Sequence, residues 1–406
     1  MEQPDYRRER GLRLAQTARI VQTEKGDWKV PSSSGNGYYN VKSNGFGAEC
    51  NCPDHEARKC KCKHIWAVEL IVTQEIDKEG NMTVTETKKV TYKQDWKNYN
   101  LAQCKEKELF LKLLADVTSN IQNPLYNFGR PTKLLSDVIY SMVFKVYSGF
   151  SGRRFNTDME ESKTKNYIEE RIPYNTMFDY FNKKELTPLL TNLVTLTSLP
   201  LRSVEKDFVI DATGFGTGQF QRWFSFKHGR EINSRKWVKC HFMAGAKTNI
   251  ITSVKITSEF ENDCPHLKEL YNTTKENFNM EELSADKAYL SQENLELIED
   301  NGTRAFIPFK KNSRPNRKGM VWKKLYHFFE FQNDAFLEKY HKRSNAETCV
   351  FMIKAKFGDN VRSKKWTAQV NEALCKVIAH NICCVIMEMH TLGIKGKFMV
   401  EKEVGE

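Results

Sequence analysis

Between residues 101 and 199 apolar side chains return every three or four positions. Leu109, Leu113, Val117 and Ile121 form one stripe, and Leu135, Val138, Met142 and Val146 another. That period predicts amphipathic helices packed as a bundle. Gly149 and Gly152 interrupt the second stripe and leave Arg153 and Arg154 on a loop, while Thr187 followed by Pro188 reads as a further helix start. At Asp207 the pattern changes to short β-branched and aromatic runs, which predict strands at 208–212, 238–244, 250–256, 283–285 and 304–307. Helical periods separate them at 264–271 and 292–299, and longer ones follow at 336–356 and 366–390. The expected fold class is α/β, a mixed sheet with flanking helices, preceded by a helical region and a small module.

That module lies at the N-terminal end. Residues 1–27 are polar and read as a loose arm or short helix. Strands are expected at 28–30 and 38–41 around a turn at 32–37, then a cysteine cluster and an apolar helix at 65–72. Residues 75–98 are Thr-, Lys- and Glu-rich around Glu79-Gly80-Asn81 and predict an exposed hairpin or linker. The expected division is an arm at 1–27, the module at 28–74, the linker at 75–98, a helical region at 99–205, the mixed-sheet domain at 206–395 and a tail at 396–406.

Charge adds a partner. Over 406 residues, Lys+Arg 63 against Asp+Glu 51 leaves a net charge of +12, which favours a polyanion, with nucleic acid first. The longest apolar run, around 382–387, is far short of the roughly 20 residues that span a bilayer, so no membrane crossing is expected. Met1 to Arg13 carries no apolar leader, so the chain is expected in a reducing cytoplasm with its 11 cysteines as thiols or metal ligands. Only one group asks for a metal. Cys50-x-Cys52-x9-Cys62-x-His64 supplies three thiolates and an imidazole, a set that suits a closed tetrahedral Zn²⁺ site, with His55 and Cys60 as spare candidates.

Three acidic residues hold special positions in the larger domain: Asp211 in the first strand, Asp286 just after the fourth, and Glu347 on the helix after the fifth. Carboxylates converging in this way can bind Mg²⁺ or Mn²⁺ for in-line transfer at a phosphodiester. On a continuous helix Tyr340, Arg343, Glu347 and Lys354 fall within an arc of about 60°. The other side carries Ala346, Cys349, Val350, Met352 and Ile353, with Phe351 the one misplaced apolar residue. A solvated Arg–Glu face is the plain alternative. It is worth only a few tenths of a kcal/mol and leaves the Tyr and Lys unexplained. Between Asp286 and Glu347, Lys310, Lys311, Arg314, Arg317 and Lys318 form a basic loop suited to a DNA backbone. Trp322 beside it either stacks on an unpaired base or anchors the loop in the core.

Tyr340-x2-Arg343-x3-Glu347-x6-Lys354 resembles the Tyr-Arg-Glu-Lys signature of insertion-sequence transposases of the DDE type. Val209 to Phe215 is similar to that family's first-Asp strand, and Leu283 to Tyr289 to its second-Asp segment. The resemblance covers roughly 130–360. It implies an RNase H-like catalytic domain with Asp211, Asp286 and Glu347 as metal ligands. It also implies that Tyr340, Arg343 and Lys354 contact phosphates of the transposon end, with Mg²⁺ as the cofactor. The expected partners are transposon-end and target DNA, bound by a homodimer in a prokaryotic, nucleoid-associated setting. The stretch from Asp286 to Glu347 is too short for the large β-rich insertion of the best-known members. The N-terminal cluster resembles a SWIM zinc finger, whose second ligand pair opens a helix. Two further functional classes stay open: a DNA-binding protein that kept the fold without the reaction, and an RNase H-like nuclease that does not join strands.

Overall fold

The computed structural model of the chain describes residues 6–23, 27–32, 37–43, 48–76, 82–86, 95–125, 132–217, 236–310, 312–315 and 319–398. It divides into two compact units, residues 1–93 and 94–406.

The first unit opens on helix α1 (Tyr6–Thr17). Strands β1 (Val21–Gln22), β2 (Trp28–Pro31), β3 (Tyr38–Ser43) and β4 (Ala48–Cys50) then form an antiparallel sheet in sequence order. Helices α2 (Pro53–Arg58) and α3 (Lys63–Ile71) follow, then the hairpin β5 (Val72–Ile76) and β6 (Met82–Glu86). Of the expected loose arm or short helix, the structure has the helix, and it packs into the module. Leu14 of α1 belongs to the core with Val30, Val41, Ile65 and Val68, and Arg7 pairs with Asp54 at 3.1 Å. At Gly11 a Cβ would come within 2.5 Å of the Trp66 Cβ, so glycine sets how closely α1 approaches α3. The Glu79-Gly80-Asn81 turn and most of the 32–37 turn lie outside the described residues.

The second unit begins with α4 (Trp96–Ser119), α5 (Leu135–Ser148), α6 (Phe155–Thr164), α7 (Tyr174–Phe181) and α8 (Leu186–Ser198). Strands β7 (Asp207–Gly216), β8 (Trp237–Gly245) and β9 (Ile251–Ser258) form an antiparallel meander. After α9 (Leu267–Asn277), β10 (Glu282–Ala285) adds to β7 in parallel, and after α10 (Gln292–Asp300), β11 (Arg304–Phe306) adds to β10 in parallel. The order across the sheet is β11-β10-β7-β8-β9. Helices α11 (Met320–Phe331), α12 (Asn333–Tyr340), α13 (Ser344–Phe357) and α14 (Trp366–Thr391) complete the unit.

Strand alternation divides the core in two, as a period of two requires. Val209, Phe215, Phe242 and Val254 face a large cluster with α4, α5, α8 and α14, whereas Phe208, Ile210, Met243 and Leu283 face a smaller one with α9, α10 and α11. No break in packing falls at residue 205, because the helices before it and one face of the sheet share the same cluster. The buried amide of Asn381 ties α14 to β9, donating to the Ile251 carbonyl at 2.7 Å and accepting from the Ile251 N–H at 2.9 Å. By length and composition α14 is apolar enough to cross a membrane, contrary to the expectation from the sequence. Yet 89% of its most apolar window is buried inside the unit, as for a core helix.

Candidate active site and metal centre

Pairing register positions the first two carboxylates. β10 ends with Ala285 opposite Ile210, so one step further along parallel strands Asp286 stands beside Asp211, pointing to the same face. Glu347 enters from the first turn of α13, whose Ala346, Cys349 and Ile353 are buried on that face of the sheet. The three acids gather around a single cation, the Arg343 guanidinium. Its Nη2 lies 3.2 Å from Asp211 Oδ2 and 3.7 Å from Asp286 Oδ2, and its Nη1 lies 3.1 Å from Glu347 Oε1. Burial raises the Asp211 carboxyl above its ordinary range; the Ala212 N–H and Arg343 oppose this, while Asp286 and Glu347 add to it.

The continuous helix expected over 336–356 is a correction. α12 stops at Tyr340, a 3-10 turn occupies His341–Arg343, and α13 starts at Ser344. Tertiary ion pairs gather at this turn. Lys342 reaches down to Asp207 at 2.6 Å and Glu282 at 2.5 Å, at the starts of β7 and β10, and Lys339 adds a 2.9 Å bond to Glu282. These pairs pin the turn to the strand ends and aim Arg343 at the carboxylates. Tyr340 therefore lies one tightened turn before the α-helix that carries Glu347, the backbone staying right-handed throughout. Its ring stacks on Phe336 at 6.1 Å, and its hydroxyl is raised chiefly by burial, with Arg343 opposing and Asp286 adding. Lys354 lies two turns along α13, near Cys240, with no ion pair among the described residues.

The anchoring lysines were not legible as functional, and neither was Tyr289. Its hydroxyl is buried with no hydrogen-bond partner among the described residues, and burial raises it, with Asp263, Asp211 and Asp286 adding.

The basic loop is partly described. Lys310 and Arg314 are exposed, whereas Lys311, Arg317 and Lys318 lie outside the described residues. Trp322 is corrected as a stacking platform: it is 3% exposed, donates its indole N–H to the Arg314 carbonyl at 2.9 Å and meets Phe309 edge-on at 5.0 Å. It anchors the loop. Arg153 and Arg154 are exposed on the turn before α6. The stretch after Asp286 holds α10, α11 and α12 with the single strand β11 among its described residues.

In the first unit Cys50, Cys52, Cys62 and His64 are all buried, and their ligand atoms lie within 4.8 Å of one another. β4 delivers Cys50, the loop before α2 delivers Cys52, and the start of α3 delivers the other two. His64 Nδ1 lies 3.8 Å from the sulfurs of both Cys50 and Cys62. The hydrogen bond from Cys50, helped by His64 and the Ile65 N–H, pulls Cys62 down against burial, whereas the same contact and burial push Cys50 up. Three sulfurs and an imidazole packed this closely are an arrangement a dication would complete. The donor set is compatible with zinc. The spare candidates stand apart: His55 Nδ1 donates to the Cys60 carbonyl at 2.7 Å, and neither joins the cluster.

Residues 202–382 match the family described as transposase DDE domain. The matched segment runs from before β7 into α14 and contains Asp211, Asp286, Arg343 and Glu347. The match supports a transposase-type function and implies DNA as partner and divalent-metal use. No curated protein matches the chain.

Proposed function

We propose that the chain is a DNA transposase of the RNase H-like class that cleaves the ends of an insertion sequence and joins them to target DNA. The observation that carries this is the convergence of Asp211, Asp286 and Glu347, from two adjacent parallel strands and a helix, on one cation position. The sheet order, an antiparallel meander extended by two parallel strands, supports the fold class.

Asp211, Asp286 and Glu347 are the residues that would hold Mg²⁺ or Mn²⁺, which would activate the attacking oxygen and stabilise the leaving one. Arg343 then has two partners. In the free protein it neutralises the carboxylates; when DNA is bound, its fork grips a phosphate in a two-bond contact that a lysine cannot reproduce. Tyr340, Lys354, Lys310, Arg314, Arg153 and Arg154 are proposed DNA contacts, with Lys311, Arg317 and Lys318 of the same loop. The N-terminal cluster is proposed as a SWIM-like structural zinc site, and the active assembly as a homodimer on paired ends.

The test supplies the DNA that flanks the coding region together with a target plasmid and divalent metal. Cleavage at the ends followed by covalent joining supports transposition. Cleavage without joined product would return the chain to the nuclease class, and binding without cleavage to the non-catalytic class.

A further inference from the structure

A cavity of about 570 Å³ opens between α5, α7, the end of α13 and the start of α14, within the range of about 300–1,000 Å³ usual for ligand sites. Its walls are mainly apolar and include Phe178, Phe181 and Phe357. Phe178 is 41% exposed, yet its ring is held in place. Tyr174 meets it edge-on at 6.2 Å, and a Cβ on Gly152 would lie 2.9 Å from its edge.

Into this apolar space α5 carries a lysine. Lys145 is 8% exposed, and its ammonium has no hydrogen bond or ion pair among the described residues. Glu372 is the one carboxylate among the described lining residues; its oxygens accept from the N–H groups of Arg362 and Ser363 at 2.8 Å each, and it forms no ion pair with Lys145. Burial pulls Lys145 down to about 8, with Arg362 adding and Glu372 opposing. Lysine is among the residues least often buried unless paired, and an ammonium stripped of most of its hydration, with only the cavity side left open and no ion pair, is costly. A bound anion would remove that cost. Exposed Arg362, Lys364 and Lys365 line the same cavity and would draw an anion in.

We infer that this cavity is a nucleotide site, Lys145 taking a phosphate and the Phe178 ring stacking on the base. The phosphate and base come either from a free nucleotide or from a nucleotide unpaired in bound DNA; the recognition chemistry is the same. The choice of a nucleotide among aromatic anions rests on the nucleic-acid reading above.

The experiment titrates the full chain with deoxyadenosine 5′-monophosphate, with deoxyadenosine and with inorganic phosphate, each by calorimetry. A parallel arm uses a DNA hairpin bearing one unpaired 2-aminopurine, read by fluorescence. Binding is expected to weaken about 10- to 100-fold in Lys145→Met and about 10-fold in Phe178→Ala, and to stay unchanged in Asp211→Ala. Saturation by the mononucleotide assigns a free nucleotide; Lys145-dependent signal from the hairpin alone assigns an unpaired one, and both support the site. No binding in either arm, wild-type binding by both cavity variants, or loss in Asp211→Ala would overturn it. A chain that cuts no DNA yet binds the mononucleotide through Lys145 retains this site. One that joins ends normally but shows no Lys145-dependent binding lacks it.

Discussion

Replacing Arg343 by alanine removes the cation that the three carboxylates share, and two readouts should move in opposite directions. The bond from Nη2 to Asp211 spans 3.2 Å between side chains 20% and 19% exposed, and a charge-assisted bond of this kind contributes about 1.5–3 kcal/mol. The contact with Glu347 adds little, because that carboxylate is 68% exposed and a solvated pair is worth under about 1 kcal/mol. A metal ion entering the free protein must displace this interaction. Arg343→Ala should therefore bind Mn²⁺ about 10- to 100-fold more tightly without DNA. Removing the guanidinium also lets Asp211 rise further, since Arg343 is one of the groups holding it down. A raised carboxyl favours the folded state at low pH, so the variant's stability deficit should be largest above the Asp211 pKa and close on acidification. Cleavage of end DNA should fall despite tighter metal binding, because the phosphate grip is lost. Calorimetric Mn²⁺ titration of the DNA-free protein is the assay. Affinity equal to or weaker than wild type would refute the competition between Arg343 and metal.

Cys62→Ser should lose the one zinc expected per chain, measured by elemental analysis, and unfold residues 1–93 while the melting of residues 94–406 stays near wild type. Lys145→Met should stabilise the protein at pH 7 by about 2–3 kcal/mol, since the wild-type ammonium is buried and pulled from 10.5 to about 8. That advantage should shrink as pH rises above 8 and vanish above 10.5, as denaturant melts across this range would record. Trp322→Ala should cost about 3–5 kcal/mol of stability. At temperatures where the variant is folded it should bind unpaired DNA as wild type does, whereas a selective loss would restore the stacking role.

Patterning carried the architecture further than the local geometry. The strands from β7 to β11 were legible because each is a β-branched or aromatic run bounded by turn residues, and their order brings Asp211 and Asp286 into register. β4 was not legible: Ala48-Glu49-Cys50 has no strand-forming residue, and its pairing is supplied by β3. The 3-10 turn at His341–Arg343 is not legible because Lys, Arg and Ser are acceptable in a helix, whereas the Lys342 pairs with Asp207 and Glu282 that accompany it are tertiary. Trp322 in its basic run leaves stacking on a base and anchoring in the core both open by sequence, and Phe309 and Leu325, packed in the same cluster, decide for the core. Lys145 is not legible for the opposite reason. It stands in a nearly all-apolar helix, and its missing partner is visible only once α7 and α14 close the cavity around it.

The central claim is that three carboxylates, and not two with a solvated neighbour, perform the reaction. Glu347 tests it most directly, because it is 68% exposed and, among the described residues, is tied to the others through Arg343. The measurement is the single-turnover rate of end cleavage by Glu347→Gln and wild type at saturating Mg²⁺ and matched DNA occupancy. If Glu347 completes the site, the rate falls by on the order of 10³-fold or more while DNA binding is unchanged. A rate within about 10-fold of wild type, a loss of about 1.4 kcal/mol or less, would show that Glu347 is a surface acid paired with Arg343 and contradict the account.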